Sequence, residues 1–289
     1  MSVDEKTKGA AGAEAGLDLP TYDDVARAHE RIKPHIHETP VQTCTTMNTL
    51  SGAELFFKCE NFQKAGAFKV RGATNAVFGL SDAQAEKGVA THSSGNHALS
   101  LSYAGGRRGI PVHVVMPHSA PKAKKDAVRG YGGQITECEP STSSREAVFQ
   151  TVQERTGADF VHPYNDPRII AGQGTCAKEM LSQIEGLDAV IAPIGGGGMV
   201  SGTCLTLAAL APHIEIYAAE PEAADDAYRS FKSGSLIQDD APQTIADGLK
   251  VPMKEYTWHF VRNYVTDIFT ASEQEIVDAM RLTWQRMKI

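Results

Sequence analysis

An α/β fold, with parallel-type sheets flanked by helices, is what this sequence predicts. Three observations lead there. Short apolar runs recur along the chain, ten or more residues separate each from the next, and helical periodicity fills the intervals. The runs are continuous and barely alternate, which is how strands covered on both faces read. Strands divided by helix-length intervals build βαβ crossovers.

Taken in order, residues 21–33, TYDDVARAHERIK, form the first helix, with Val25, His29 and Ile32 on one side and acids in the first turn. The strands that follow are ELFFKCE, GVATH, IPVHVVMP, GQITECE, ADFVHP, DAVIAPI, IEIYAAE and YVTDIFT. A last helix opens on a capping box, Ser272 with Glu275, and carries Ile276, Ala279, Met280 and Met287 at helical spacing. Pro and Gly cluster in HPYNDPRIIAGQG, residues 162–174, which marks a crossing between domains and a cleft beside it.

Composition bounds the function. The chain has 289 residues, 42 % of them hydrophobic, enough for a real core. A net charge of −7, with no basic block longer than Lys122, Lys124 and Lys125, argues against nucleic acid as a partner. Five cysteines without C-x-x-C spacing point away from a disulfide framework or a thiolate zinc site and towards a reducing, cytoplasmic setting. Residues 1–19 read as a disordered leader with no signal-peptide core, and no stretch has the length of a membrane span.

Four segments carry chemistry. In FKCENFQKAGAFKVRG, Lys69 follows small residues and the aromatic Phe68, as a pocket lysine would; a polar helix face made of Lys64, Lys69 and Arg71 fits the same spacing. Gly195, Gly196, Gly197 and Gly198 lie between a strand and a helix, where bare amides and the helix terminus suit a phosphate. Their spacing matches neither a dinucleotide fingerprint nor a Walker loop. Ser93, Ser94, Gly95, Asn96 and His97 offer donors at a helix start, for a carboxylate or simply as an N-cap. AEPEAADDA, residues 219–227, holds four acids that suit a hard cation or a solvated loop. No histidine pair has H-x-x-x-H spacing. A phosphate cradle, a pocket lysine and a carboxylate-binding loop together are the parts that hold pyridoxal phosphate on a lysine.

The same segments carry a family resemblance. FKCENFQKAGAFKVRGA, THSSGNH, VHPYNDP with IAGQGT, PIGGGGMVSG, YAAEPEAADDAY and TIADGLK resemble, in that order, the motifs of the serine racemase and threonine dehydratase group of fold-type II pyridoxal-phosphate enzymes. The resemblance runs from about residue 20 to the end. It implies a two-domain, tryptophan synthase β-like architecture, with residues 20–84 and 165–289 as the large cofactor-binding domain and 85–164 as a small mobile one. It also implies a homodimer.

For the site, the resemblance implies that Lys69 bonds to pyridoxal phosphate, Phe68 packs against it, and Asn96 meets the ring hydroxyl. Gly195 to Gly198, with Met199, would hold the phosphate. Ser94 would face the cofactor opposite Lys69, and Ser93, Asn96, His97 and Arg145 would meet the substrate. Glu220, Asp226 and the Ala224 carbonyl would hold Mg²⁺ or Mn²⁺, with Ca²⁺ as a third candidate, which decides the acidic loop in favour of a cation site.

The implied activity is a lyase: ammonia release from L-serine, L-threonine or 3-hydroxyaspartate, giving a 2-keto acid, with serine racemase activity through Lys69 and Ser94. Such a role lies in amino-acid metabolism. Ala98 stands where the group has Gly, Tyr164 where animal racemases have Asn, and Val251 where they have Ser; these departures lean towards ammonia-lyase. Family members continue past RMK, so the C-terminal part is expected to be missing here. The competing expectation is a truncated, catalytically impaired homologue that binds cofactor or a partner.

Overall fold

The computed structural model describes residues 16–238 and 242–289. Most of the expected leader, residues 1–15, lies outside the described residues; Leu19, at its end, packs against the core. Helix α1 (Tyr22–Ile32) begins where the Asp24 carboxylate accepts the Thr21 N–H at 2.8 Å, and it buries Val25, Ala28 and Ile32. His29, expected on the inward side, is only half-buried beside Ala28.

Two parallel sheets organise the rest. Strands β3 (Val89–His92), β4 (Val112–Pro117), β5 (Gln134–Cys138) and β6 (Asp159–Phe160) stand in the order β5-β4-β3-β6. Helices α5 (Asn96–Arg108), α6 (Lys122–Gly130) and α7 (Thr142–Thr156) connect them. The second sheet is β7 (Ala189–Pro193), β8 (Glu215–Pro221) and β9 (Asp267–Ala271), in that order. Helices α9 (Gly198–Leu210), α10 (Asp226–Ser233) and α11 (Glu255–Tyr264) accompany it. Each sheet has its own apolar core.

One predicted strand pairs otherwise than expected. The run ELFFKCE supplies β2 (Phe56–Lys58), which lies antiparallel to β1 (Val41–Thr43) beyond the short helix α2 (Thr45–Ser51). Phe56 is 38 % exposed, so this strand lacks the two covered faces that the apolar run suggested.

Between the sheets runs a layer of helices that fixes the site. α3 (Lys69–Phe78) buries every residue from Val70 to Val77 and packs on α8 (Pro167–Gln183), which also packs on α9. The contacts are backbone to backbone. A Cβ at Gly172 would stand 2.5 Å from Gly72 Cα, and one at Gly202 would stand 2.4 Å from Gly174 N. The Pro and Gly cluster read as a domain crossing is therefore half helix: Gly172 and Gly174 lie inside α8, where they permit close approach. Since Lys69 opens α3 and the glycine run opens α9, both reach the site from helices clamped to the same partner.

Helix α4 (Asp82–Lys87) is peripheral, and the last helix, α12 (Glu273–Arg286), starts at the predicted capping box, with Ser272 N–H donating to Glu275 at 2.8 Å. Its apolar face is open: Met280 is 62 % and Trp284 65 % exposed. With Phe57, Ile191 and Pro193 they line an apolar groove of about 1040 Å³. No helix among the described residues is long and apolar enough to cross a membrane.

Candidate active site

Lys69 is reached through a tight turn, with Ala65 at φ +56° and Gly66 at φ +72°, before α3 begins. Its Nζ donates to the Pro163 carbonyl at 2.9 Å and lies 5.3 Å from the Phe68 ring centroid and 5.9 Å from that of Tyr164. Burial lowers the amine to about 8, because an ammonium loses its hydration there. The polar-face reading of this segment fails at Arg71, which is wholly buried. Its guanidinium grips Glu60 and Glu179, each at 2.7 Å, and Lys58 adds a third ion pair to Glu179 at 2.9 Å. Sequence alone had no signal for this network, since its carboxylates come from segments more than a hundred residues apart.

The glycine run follows β7, and side chains are excluded from it sterically. A Cβ at Gly195 would meet Leu249 Cα at 2.8 Å, and one at Gly196 would meet the Tyr164 ring at 2.5 Å. Gly197 adopts φ +81°, a conformation that side chains disfavour. The first amides of α9, at Gly198, Met199 and beyond, have no preceding turn to accept them and point towards whatever lies at the helix start.

The segment from Ser93 to His97 joins β3 to α5. The two serines are half-buried, Asn96 is exposed and His97 is buried. His97 Nε2 pairs with the Val161 carbonyl at 3.0 Å, so that nitrogen carries the hydrogen, while Nδ1 has no partner. Burial, with the Lys69 charge second, pushes this imidazole down to about 3. A neutral ring with only an acceptor free cannot donate to a carboxylate; the amides at the start of α5 can.

Arg145, in the first turn of α7, has a buried Nε with no hydrogen-bond partner among the described residues. Its charge reaches His92 and Tyr164. Lys69 lies against the Tyr164 ring, its charge reaches His97, and that of Arg145 reaches Tyr164, so these four side chains share one region of the molecule. The Tyr164 hydroxyl, pushed up to about 12 by burial, stays protonated.

The acidic loop lies at the C-terminal end of β8. Glu220 and Asp226 are both 3 % exposed, and Ala224 is buried in the turn between them. Glu220 Oε1 accepts the Tyr228 N–H, and Oε2 is buried without a partner. Burial first and the Asp226 charge after it push the Glu220 carboxyl up to about 8. Two acids sunk side by side are costly unless a cation or a proton joins them. Among the described residues no cluster of three His, Cys, Asp or Glu side chains is found, so a cation here would use carbonyl oxygens as well.

Comparison with known proteins follows the same lines. The family model described as pyridoxal-phosphate dependent enzyme matches residues 32–289. The chain belongs to this family. Among its relatives is a β-hydroxyaspartate dehydratase of Paracoccus denitrificans, 71 % identical over 271 residues, which are 94 % of this chain and 86 % of that protein. Maize serine racemase superposes with a TM-score of 0.93 at 46 % identity, over 94 % of this chain and 82 % of the other. The serine racemase of Dictyostelium discoideum superposes with a TM-score of 0.90 at 46 % identity, over 93 % and 87 %. A threonine deaminase of known structure superposes with a TM-score of 0.89 at 39 % identity, over 93 % and 88 %.

The family's cofactor fits these residues: a side-chain-free cradle at a helix start and a lysine amine lowered to about 8 both lie against Tyr164. One consequence is measurable. Bonding to pyridoxal phosphate needs the unprotonated amine, so the cofactor-free chain should capture it faster as pH rises, levelling off above about 8. Below that value each pH unit should slow capture by about tenfold. Stopped-flow absorbance of the lysine-bound cofactor reads the rate; a flat profile from about pH 6 to 9 would contradict the lowered amine.

Proposed function

We propose that the chain is an ammonia-lyase of this family that acts on 3-hydroxy amino acids, with 3-hydroxyaspartate as the preferred substrate and L-serine and L-threonine as lesser ones. Serine racemisation is a branch of the same chemistry. The observation that carries the reading is a Lys69 amine lowered to about 8 by burial, beside the same Tyr164 ring that feels the charge of Arg145, whose buried Nε has no hydrogen-bond partner among the described residues. The dehydratase of Paracoccus denitrificans, at 71 % identity, supports the choice of substrate.

Pyridoxal phosphate, when bound, supplies an electron sink that makes the substrate Cα proton removable. Gly195 to Gly198 and Met199 would hold its phosphate with backbone amides, Phe68 would pack against it, and Asn96 would meet its ring hydroxyl. Ser93 and the α5 amides near Asn96 and His97 receive the α-carboxylate. Lys69, as a neutral amine, would take the Cα proton; its lowered pKa suits a base near neutral pH. Arg145 receives a second carboxylate where the substrate has one. Water is lost at Cβ and regained at Cα, so the products of 3-hydroxyaspartate are oxaloacetate and ammonia. Were Ser94 to return a proton to Cα from the side away from Lys69, the enantiomer would form.

Glu220, Asp226 and the Ala224 carbonyl hold a divalent cation, Mg²⁺ or Mn²⁺, with Ca²⁺ as the larger alternative. The orphaned, buried Glu220 oxygen supports this. Adding Mg²⁺ at about a hundred times its Kd should stabilise the chain by about 2.7 kcal/mol, and a chelator should reverse the gain. Differential scanning calorimetry checks it, and an unchanged midpoint with all three ions would remove the cation from the account.

The two sheets with separate cores support a small mobile domain over residues 85–164 and a large one over 20–84 and 165–289. Five free cysteines support a cytoplasmic setting. A homodimer is part of the proposal and is tested by light scattering. Ammonia and keto acid release by the cofactor-loaded chain tests the function itself.

A further inference from the structure

The turn from His162 to Asn165 has no role in the scheme above, yet it touches both halves of the site. Its Pro163 carbonyl accepts from Lys69 Nζ at 2.9 Å. Its Tyr164 ring fills the space where a Cβ of Gly196 would stand, and the Tyr164 Cβ lies 3.0 Å from where one of Gly198 would be. An imidazole folds the turn: His162 Nδ1 accepts the Asn165 N–H at 2.9 Å and the Tyr164 N–H at 3.3 Å. The same ring stands edge-on to Tyr164, with centroids 4.6 Å apart at 89°. Asn165 ties the far end to α11, its Nδ2 donating to Glu255 at 3.0 Å and its Oδ1 accepting the Tyr256 N–H at 3.1 Å.

A ring nitrogen that accepts two amides carries no hydrogen, so His162 is the tautomer protonated at Nε2. Burial agrees, pushing the imidazole down to about 3. Without this acceptor two amides would lose their partner, and the turn would have no local reason to aim the Pro163 carbonyl at the lysine.

We propose that His162 is a positioning residue: through Nδ1 it folds the 162–165 turn, which sets where the Lys69 amine rests and seats Tyr164 against the glycine loop. The proposal rests on Lys69 as the reacting lysine. It gives the imidazole no part in proton transfer. Asparagine, whose side-chain oxygen accepts amides two and three residues on, should therefore replace it.

The test uses the full-length chain and the variants His162→Leu and His162→Asn. Two readouts are taken: hydrogen exchange at the Tyr164 and Asn165 amides, and the rate at which the cofactor-free chain captures pyridoxal phosphate on Lys69. Leucine should speed exchange at both amides by about tenfold or more as the turn loses its local protection. It should slow capture by about tenfold to a hundredfold, the cost of a misplaced reacting group. Asparagine should recover most of both losses. Leucine with wild-type exchange and capture, or asparagine as impaired as leucine, would overturn the proposal. Should the leucine variant fail to fold, the asparagine variant decides alone, since it is active only if the acceptor is what matters. A wild-type chain that captures no cofactor would refute the Lys69 reading, and amide exchange would still decide whether His162 folds the turn.

Discussion

Lys69→Ala should lower turnover of every substrate by about 10⁴-fold or more, because in the proposed mechanism one side chain serves as the cofactor's attachment and as the Cα base. The loss should fall on kcat, with the variant still folded. Removing a buried amine leaves only the Pro163 carbonyl without its donor, a cost of about 1–3 kcal/mol to stability. A melting curve beside the kinetic assay separates the two effects. Added primary amines should return a small part of the activity by acting as external bases. Turnover within about tenfold of wild type would mean that another group removes the proton.

The second large effect concerns selectivity. Arg145→Met should cut kcat/KM for 3-hydroxyaspartate by about 100-fold, close to ~3 kcal/mol, which is the usual loss when one member of a desolvated charge pair is removed. L-serine has no second carboxylate, so its kcat/KM should change by less than about threefold. Equal losses for both substrates would instead give Arg145 to the α-carboxylate, and no loss for either would take it out of the pocket.

How far the site was legible in the sequence depends on whether its parts are local. The glycine run showed itself because a strand, four glycines and a helix form one continuous signal, and the structure adds only the reason, namely that Leu249 and Tyr164 fill the places of missing side chains. Lys69 stayed ambiguous until Arg71 proved buried, since three cations within eight residues look the same in sequence whether they are solvated or belong to an ion network. The antiparallel pairing of β2 was hidden because an apolar run states burial and not direction. In the 162–174 segment glycine has two meanings, since it marks turns and also helix crossings, and at Gly172 and Gly174 it does the second. His162 gave no signal, since its work depends on accepting backbone amides two and three residues ahead, which no residue type announces.

The measurement that bears most directly on the whole account is a side-by-side assay of ammonia and keto acid release from 3-hydroxyaspartate, L-serine and L-threonine by the chain loaded with pyridoxal phosphate. Release from all three is expected, with the highest kcat/KM for 3-hydroxyaspartate, oxaloacetate as its product, and none above background with Lys69→Ala. A chain that binds the cofactor through Lys69 yet releases ammonia from none of the three would contradict it.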